Sequence, residues 1–520
     1  MKNIFYKLFT VCFACTVLVS CSDAIDIVQE GELNDAAIFK TTSDLEKYLL
    51  GSVYTSVDNT NQIKFSSVFT DELKVGPSNT GQDQGLYRYV LTQDNGYVGA
   101  IWSQNYTSIN RINRLLKAAE AITPSASETV AYNNILAEAR TLRALAYLNL
   151  ESYFSPNMAD NNALGVILID RVPELTEQLP RSTNAAIWGL VETDLQFAEA
   201  NLAPPTSHNF PFFVSKTLVN AIRARMYLYR KNYTLAKQYA QNVLSTSGVS
   251  LTASTPVPAG TPGTTTWNTA FYAAAPTNPY RRLWADLNNG ENLFTLSRPV
   301  NGTGGNIAGI YTTNTTNLSG SPLWTVGLNL YSKLNVPNLN PVLPAYLGTS
   351  SDIRRYAFID PTSVSAQGVY IIDKYPGKTN APLRNDIKVF RLSEMYFILA
   401  ECEAQTPAGY VAAANYIKAV RDARRFNSLT PADLPIYANK TDALRDILTE
   451  RRVELAFEGH RYVDLRRLGA EAGVSIDRNA NDDFNPNTPL TLNITDFRFT
   501  LPIPSSEILG NPSIQQNPGY

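Results

Sequence analysis

Apolar residues recur at helical spacing along most of the chain. In the stretch from Trp102 to Ala121, one helix face consists of Ile109, Ile112, Leu115, Leu116 and Ala119. The same spacing predicts further helices over residues 134–154, 185–200, 216–230, 233–245, 392–405, 410–425 and 442–458. Most of these segments occur as pairs that are close together in the sequence, so we predict a mainly α fold built from helix pairs.

Two of the predicted pairs share a weak sequence repeat. Their second helices open with Tyr233-x-x-Ala236 and with Tyr410-x-x-Ala413. A small alanine at such a position lets two antiparallel helices approach closely, which is the packing of tetratricopeptide repeats. We therefore predict a scaffold of tetratricopeptide-like helix pairs. Unrelated helical hairpins are the alternative, because the full repeat signature is absent.

The middle of the chain has a different character. Residues 252–266 are rich in Thr, Pro, Ala and Gly, and residues 301–321 are rich in Gly, Asn and Thr. This composition predicts long loops, which would form a loop-rich subdomain inserted into the helical scaffold. Near the C-terminus, residues 490–494 and 497–501 alternate between apolar and polar positions, which predicts a few short strands.

The first residues of the chain predict export. Lys2 and Lys7 flank an apolar stretch from Ile4 to Val19, which is too short to span a membrane comfortably. It ends in Leu18-Val19-Ser20-Cys21, which resembles the bacterial lipobox, where cleavage before the cysteine is coupled to its lipidation. We expect Cys21 to carry lipid, and an ordinary signal peptide is the alternative.

Five segments are predicted from these patterns. They are a lipoprotein signal peptide (1–20), the lipidated cysteine with a polar tether (21–41), an N-terminal helical region (42–248), the loop-rich insertion (249–387) and the C-terminal helical pairs with their ending (388–520).

Composition narrows the class of protein. The 44 Lys and Arg residues against 46 Asp and Glu give a formal net charge of −2, which excludes a general nucleic-acid binder. Hydrophobic residues make up 44% of the chain, which is enough for a full core. His208 and His460 are the only histidines, too few for most metalloenzymes or for Ser-His catalysis. Once Cys21 carries lipid, the mature chain keeps only Cys402, so no internal disulfide is expected.

Motifs for metals and cofactors are weak. Asp477-x-Asn479-x-Asn481 resembles the start of a calcium loop, but Asp482 stands where that motif needs Gly, and Thr488 where it needs Glu. A solvated turn is therefore the preferred interpretation. We expect no cofactor and no metal.

Carboxylate pairs keep one enzymatic alternative open. Glycoside hydrolysis needs only two suitably spaced carboxylates, so a surface glycoside hydrolase is not excluded. Glu450, Glu454 and Glu458 repeat every four residues on a predicted helix, with Arg451 among them. We predict a structural ion-pair network in which Arg451 reaches Glu454 along the helix surface. His460 is expected to pack or to cap a helix rather than to catalyse.

Four blocks of the sequence form a recognisable set. The strongest runs from Leu448 to Arg467, LTERRVELAFEGHRYVDLRR, and the others are Arg391–Glu401, Glu138–Tyr147 and the ending Leu501–Tyr520. Together with the lipobox, and in their order along the chain (138–147, 391–401, 448–467 and 501–520), they resemble the SusD/RagB family of outer-membrane lipoproteins. The loop-rich middle matches nothing specific.

The resemblance implies a non-catalytic nutrient receptor at the cell surface of Bacteroidetes, built on tetratricopeptide-like units. Such proteins cover a TonB-dependent SusC-like transporter and deliver cargo to it. The cargo is usually an oligosaccharide, and a peptide, as for RagB-like receptors, is the main alternative. The expected location is therefore the outer membrane, with a lipid anchor and surface exposure.

The ligand site is predicted to lie in the loops, because sugars are bound by flat aromatic rings flanked by polar side chains. Residues 71–97 and 267–331 supply both kinds of residue. The candidate ligand-binding residues are Trp267, Tyr272, Tyr280, Trp284, Tyr311, Trp324, Tyr87, Arg88, Asn79 and Asp83. The alternative for each aromatic residue is that it supports its own loop. Trp102 and Trp188 lie in helical patterns and are predicted core residues.

Overall fold

The computed structural model describes residues 38–520 except 175, 205–209, 256–257, 259, 261–263, 273–277, 303, 313–321, 335–351, 361–368 and 427–430. The predicted signal peptide, Cys21 and His208 lie outside the described residues.

Most of the described chain is helical, as predicted. The helices are α1 (Thr42–Tyr48), α2 (Tyr54–Ser56), α3 (Thr60–Phe69), α4 (Gln84–Tyr87), α5 (Gly96–Ala119), α6 (Thr129–Phe154), α7 (Asn184–Asn201), α8 (Lys216–Tyr229), α9 (Tyr233–Thr246), α10 (Thr265–Tyr272), α11 (Pro279–Trp284), α12 (Leu328–Leu334), α13 (Ile353–Phe358), α14 (Leu392–Glu403), α15 (Tyr410–Arg424), α16 (Lys440–Glu454), α17 (Arg461–Ala472) and α18 (Ser505–Gly510). A π-helical turn, Leu49–Val53, joins α1 to α2. No helix in the described part of the chain combines the length and apolar character needed to cross a membrane.

Five of the eight predicted helices begin at residues whose side chains cap them, namely α5, α7, α8, α9 and α16. Ser215 accepts a hydrogen bond from the Leu218 amide at the start of α8, and Asn232 accepts one from the Leu235 amide at the start of α9. Helix α16 stops at Glu454, four residues before its predicted end. The chain turns there because Phe457 and Gly459 both adopt positive φ angles, of 64° and 87°.

Consecutive helices pack in pairs and form a continuous scaffold. The consecutive helices that pack most extensively are α5 with α6, α6 with α7, α8 with α9, α14 with α15, and α16 with α17. Ala236 and Ala413 are fully buried, as their predicted role at close helix contacts requires. Helix α9 also packs against α14, although the long middle segment separates them in sequence. The middle segment therefore leaves the scaffold after α9 and returns to it at α14.

Four short strands connect the middle segment to the rest of the protein. Strand β1 (Leu73–Val75) pairs antiparallel with β3 (Trp324–Val326), and β2 (Asn292–Leu296) pairs antiparallel with β4 (Ile387–Arg391). The prediction of strands near the C-terminus is wrong, since Phe497–Phe499 forms a 3₁₀ turn. Residues in that region alternate in burial because Phe499 and Leu501 pack into the core.

Candidate functional site

The predicted aromatic ligand residues lie in the core. Six of them are exposed by 2% or less: Tyr87, Trp267, Tyr280, Trp284, Tyr311 and Trp324. The prediction that these rings offer open faces to a ligand is therefore wrong for the described conformation. The side chain of Tyr272 lies outside the described part of the chain. Trp102 and Trp188 are buried, as predicted.

The buried rings support the loops that contain them. The ring centroid of Trp284 lies 5.8 Å from that of Phe358, and the Lys374 ammonium lies 4.1 Å above the Trp284 ring. Trp267 stacks on Phe271 at 4.7 Å and donates from its indole nitrogen to a backbone carbonyl at 2.8 Å. These contacts correspond to the alternative role, in which the aromatic residues give a helix-poor region a core of its own.

The predicted ion-pair network exists, but its pairing differs. Glu454 is fully buried and accepts hydrogen bonds from Arg391 and Arg424, each at 2.8 Å, and from Arg354 at 3.1 Å. Arg451 does not reach Glu454 and instead donates to Asp464 of α17 at 2.7 Å. Arg451 lies on the side of α16 that faces α17, so the partner comes from the neighbouring helix. The family block Leu448–Arg467 thus joins elements of the scaffold.

Two carboxyl groups with strongly raised pKa values are structural as well. Burial raises the pKa of Glu72 and of Glu151 to about 7. Both side chains are fully buried and accept hydrogen bonds from backbone amides, those of Phe457 and Val166. Burial also lowers the pKa of His460 to about 4, so its imidazole is neutral at physiological pH. Glu72 and Glu151 are closed off from solvent, whereas His460 is partly exposed.

An exposed surface of a different kind is formed by residues 76–97 and 477–490, which we call the polar face. Phe484 lies on this face and is 70% exposed, more than any other aromatic side chain in the described part of the chain. Arg88 connects the two segments, because its Nε and Nη2 donate to the carboxylate of Asp483 at 2.9 and 3.3 Å. Nε also lies 3.3 Å from the Thr488 hydroxyl.

The other polar candidates lie on the same face. Asn79 accepts hydrogen bonds from the Gly81 amide at 3.0 Å and from the Gln84 amide group at 3.1 Å. Asp83 accepts one from the Tyr97 hydroxyl at 2.9 Å. Asp83 and Arg88 are thus partly exposed on this face, Asn79 is buried beneath it, and the rings of Trp267, Trp284 and Trp324 are buried.

Phe484 was missed at the level of sequence. A signal was present, since this aromatic residue stands in a run of asparagines and aspartates from Asn479 to Asn487. The structure uses the oxygen atoms of this run in a turn and in a contact with the start of α12. Asn479 accepts from the Asn481 amide at 3.0 Å, and Asp482 accepts from the Leu328 amide at 3.0 Å. The predicted turn is confirmed.

The architecture is a scaffold of paired helices into which a loop-rich segment is inserted. Two family models match the chain: the SusD family over residues 361–520, and a model described as "Starch-binding associating with outer membrane" over residues 31–228. The chain belongs to the SusD/RagB family.

Full-length relatives and solved structures agree with this assignment. SusD-like proteins P2 and P38 of Formosa agariphila are 25% and 24% identical to the chain and cover 97% and 98% of it, with the same shares of their own lengths. A SusD superfamily protein from Bacteroides thetaiotaomicron superimposes with a TM-score of 0.72 at 23% identity, covering 92% of this chain and 100% of its own. A laminarin-binding SusD-like protein has a TM-score of 0.63 at 22% identity, covering 93% and 100%. At these identities the structures show a shared fold.

Proposed function

We propose that this chain is a cell-surface lipoprotein that binds an oligosaccharide without cleaving it and delivers it to a TonB-dependent SusC-like transporter. Family membership supports the binding role, and the laminarin-binding neighbour is a glycan-binding protein with the same fold. The lipobox at Cys21 supports anchoring in the outer membrane, in agreement with the description of the model that matches residues 31–228.

The polar face is the proposed ligand site, and exposed Phe484 is the observation that carries this proposal. A sugar ring can place its C–H groups on such an aromatic face while its hydroxyls bond to surrounding polar groups. The side chains of Gln82, Asn481 and Asn487 are exposed on the same face and can both donate and accept hydrogen bonds. Nη1 of Arg88 has no hydrogen-bond partner among the described residues and is available to a hydroxyl.

Calorimetry of the purified protein with a panel of neutral and acidic glycans and of peptides tests the proposal. We expect a glycan to bind, with no release of reducing sugar on prolonged incubation. Phe484→Ala should weaken that binding by about 1–3 kcal/mol, which is about tenfold to a hundredfold in Kd.

A matched control is Ile436→Ala, which removes a side chain that is 95% exposed on the connection between α15 and α16. It should leave the affinity unchanged. Binding of peptides alone would favour the RagB-like alternative. Equal affinity of wild type and Phe484→Ala for a bound glycan would place the ligand site elsewhere.

A further inference from the structure

The charges of the polar face are unusual for a surface that binds a charged polymer. Its two segments contain five aspartates and two arginines: Asp83, Asp94, Asp477, Asp482, Asp483, Arg88 and Arg478. Asp482 is buried and Asp477 lies 3.2 Å from Arg452, so not all of these aspartates contribute an unpaired surface charge. What this surface can bind depends on whether its cations are free.

Arg478 is not available to a ligand. Its side chain is buried, and its nitrogens donate to backbone carbonyls, with Nε 2.7 Å from Thr70 O and Nη2 2.9 Å from Phe69 O. Its guanidinium carbon also lies 3.8 Å from the ring centroid of Tyr87. This buried cation holds the loop backbone through these hydrogen bonds and does not face solvent.

Arg88 is exposed, but its charge is compensated. Its side chain is 30% exposed, whereas that of Asp483 beneath it is 3% exposed. Burial acts to raise the pKa of Asp483, but the hydrogen bonds from Arg88 and Thr488 outweigh it, so the pKa is lowered. The carboxylate therefore stays ionised at neutral pH. A ligand cannot separate the pair without leaving a poorly solvated negative charge, which is costly.

Two lysines flank the face, and each lies near a carboxylate. Lys74 of β1 is half-buried and acts electrostatically on the carboxylate of Asp482. Nζ of Lys64 lies 3.2 Å from the carboxylate of Asp83 and 5.0 Å from the ring centroid of Tyr97. The Tyr97 hydroxyl holds the other carboxylate oxygen. Lys64 and Asp83 thus form a second pair with no net charge at the edge of the face.

Recognition of a uronate or a sulfate ester needs a cation whose charge is not already neutralised. The cations in and beside the polar face are buried or lie next to a carboxylate, whereas its exposed amides suit hydroxyl groups. Resting on the proposed function, we infer that the polar face binds a neutral oligosaccharide and discriminates against uronic-acid-containing and sulfated glycans.

Chemically matched glycans test this inference. The full-length protein would be screened against neutral glucans, mannans, xylans and galactans, and against pectin, alginate and carrageenan. A bound neutral glycan would then be compared with its own carboxymethylated derivative. We expect only neutral glycans to bind, the derivative to bind at least about tenfold more weakly, and the Kd of the neutral glycan to change less than about twofold between about 20 and 300 mM NaCl.

Two variants that leave a cation without its carboxylate partner test whether charge pairing causes the discrimination against acidic glycans. Asp483→Asn leaves Arg88 uncompensated, and Asp83→Asn does the same for Lys64. Each should strengthen binding of the carboxymethylated glycan by about fivefold, the effect of about 1 kcal/mol. The matched control is Glu177→Gln, which frees Arg171 of an exposed ion pair outside the polar face and should change nothing. Thermal unfolding identifies a variant that fails to fold, and the other variant then decides.

The possible failures are distinguishable. Salt-sensitive binding of acidic glycans by wild type would overturn the inference and leave the proposed glycan-binding function standing. No binding of any glycan would overturn both. Unchanged affinity of both folded aspartate variants for the carboxymethylated glycan would show that charge pairing does not set the specificity.

Discussion

Glu454 shows how a single carboxylate can organise this scaffold. Its two oxygens are shared by Arg391 of β4, Arg424 of α15 and Arg354 of α13, and Glu291 next to β2 accepts from the first two of these arginines. Each group is buried, so each depends on the others for the stabilisation that water would otherwise provide. One residue therefore connects four elements that are far apart in sequence.

Glu454→Gln keeps the shape of the side chain and removes its charge. We expect the free energy of unfolding to fall by about 3–5 kcal/mol, because three buried guanidinium groups lose their shared carboxylate. Burial acts to raise the pKa of Glu454, but Arg424 and Arg391 outweigh it and hold the pKa well below its usual range. A depressed folded-state pKa stabilises above the unfolded value and is lost on acidification. The difference from wild type should therefore be full above about pH 5 and shrink below it.

Denaturant unfolding at several pH values measures this difference. Glu177→Gln, in the exposed pair with Arg171, is the matched control and should leave the unfolding midpoint unchanged. An equal midpoint for Glu454→Gln and wild type near neutral pH would contradict the role assigned to the network.

Residues with local partners were predictable from sequence, and those with distant partners were not. Ala236 could be placed because its role depends on the three-residue connection between adjacent helices. Trp284 could not, because Phe358 and Tyr375, which enclose it, come from much later segments. The surface around Phe484 was not predictable for the same reason, because Arg88 and Asp483, which join its two segments, stand 395 residues apart.

At the scale of elements, the close packing of paired helices is what keeps the scaffold continuous across the middle segment. Helix α9 contacts α8 on one side and α14 on another, and its buried positions are Ala236, Ala240 and Val243. Small side chains at two of these three positions allow this approach. The pattern was readable from the Tyr233-x-x-Ala236 repeat, whereas the contact of α9 with α14 was not, since no local signal reports it.

Ala236→Leu tests this packing. Extra methylenes at a fully buried, closely packed position should lower the free energy of unfolding by about 1–3 kcal/mol, because the helices must move apart. Gln238→Leu introduces the same side chain at an exposed position of the same helix and is the matched control. The comparison is made by thermal unfolding. Equal destabilisation by the two variants would mean that helix propensity, and not the contact between helices, accounts for the loss.

At the scale of the whole molecule, the scaffold and the proposed ligand site are made of different segments. The helix pairs and the buried ion-pair network hold the backbone, whereas the polar face is formed by residues 76–97 and 477–490, which lie mostly outside the paired helices. This division explains why the family blocks identify the protein but do not identify its ligand. Those blocks are made of buried residues such as Arg391 and Glu454, and Phe484 lies outside them.

The proposed assembly follows from this division, because a receptor that delivers cargo must dock on its transporter and remain at the membrane. We expect an affinity-tagged protein, purified from detergent-solubilised native outer membranes, to bring with it a TonB-dependent transporter. A stable contact of this kind buries more than about 1,000 Å² and should survive purification.

The Cys21→Ala variant should no longer be found in the membrane fraction of cells that lack the transporter, because the anchor is lost while the folded body is untouched. Repeated purification without any such barrel would contradict the partnership, and retention of Cys21→Ala in those membranes would contradict the lipid anchor.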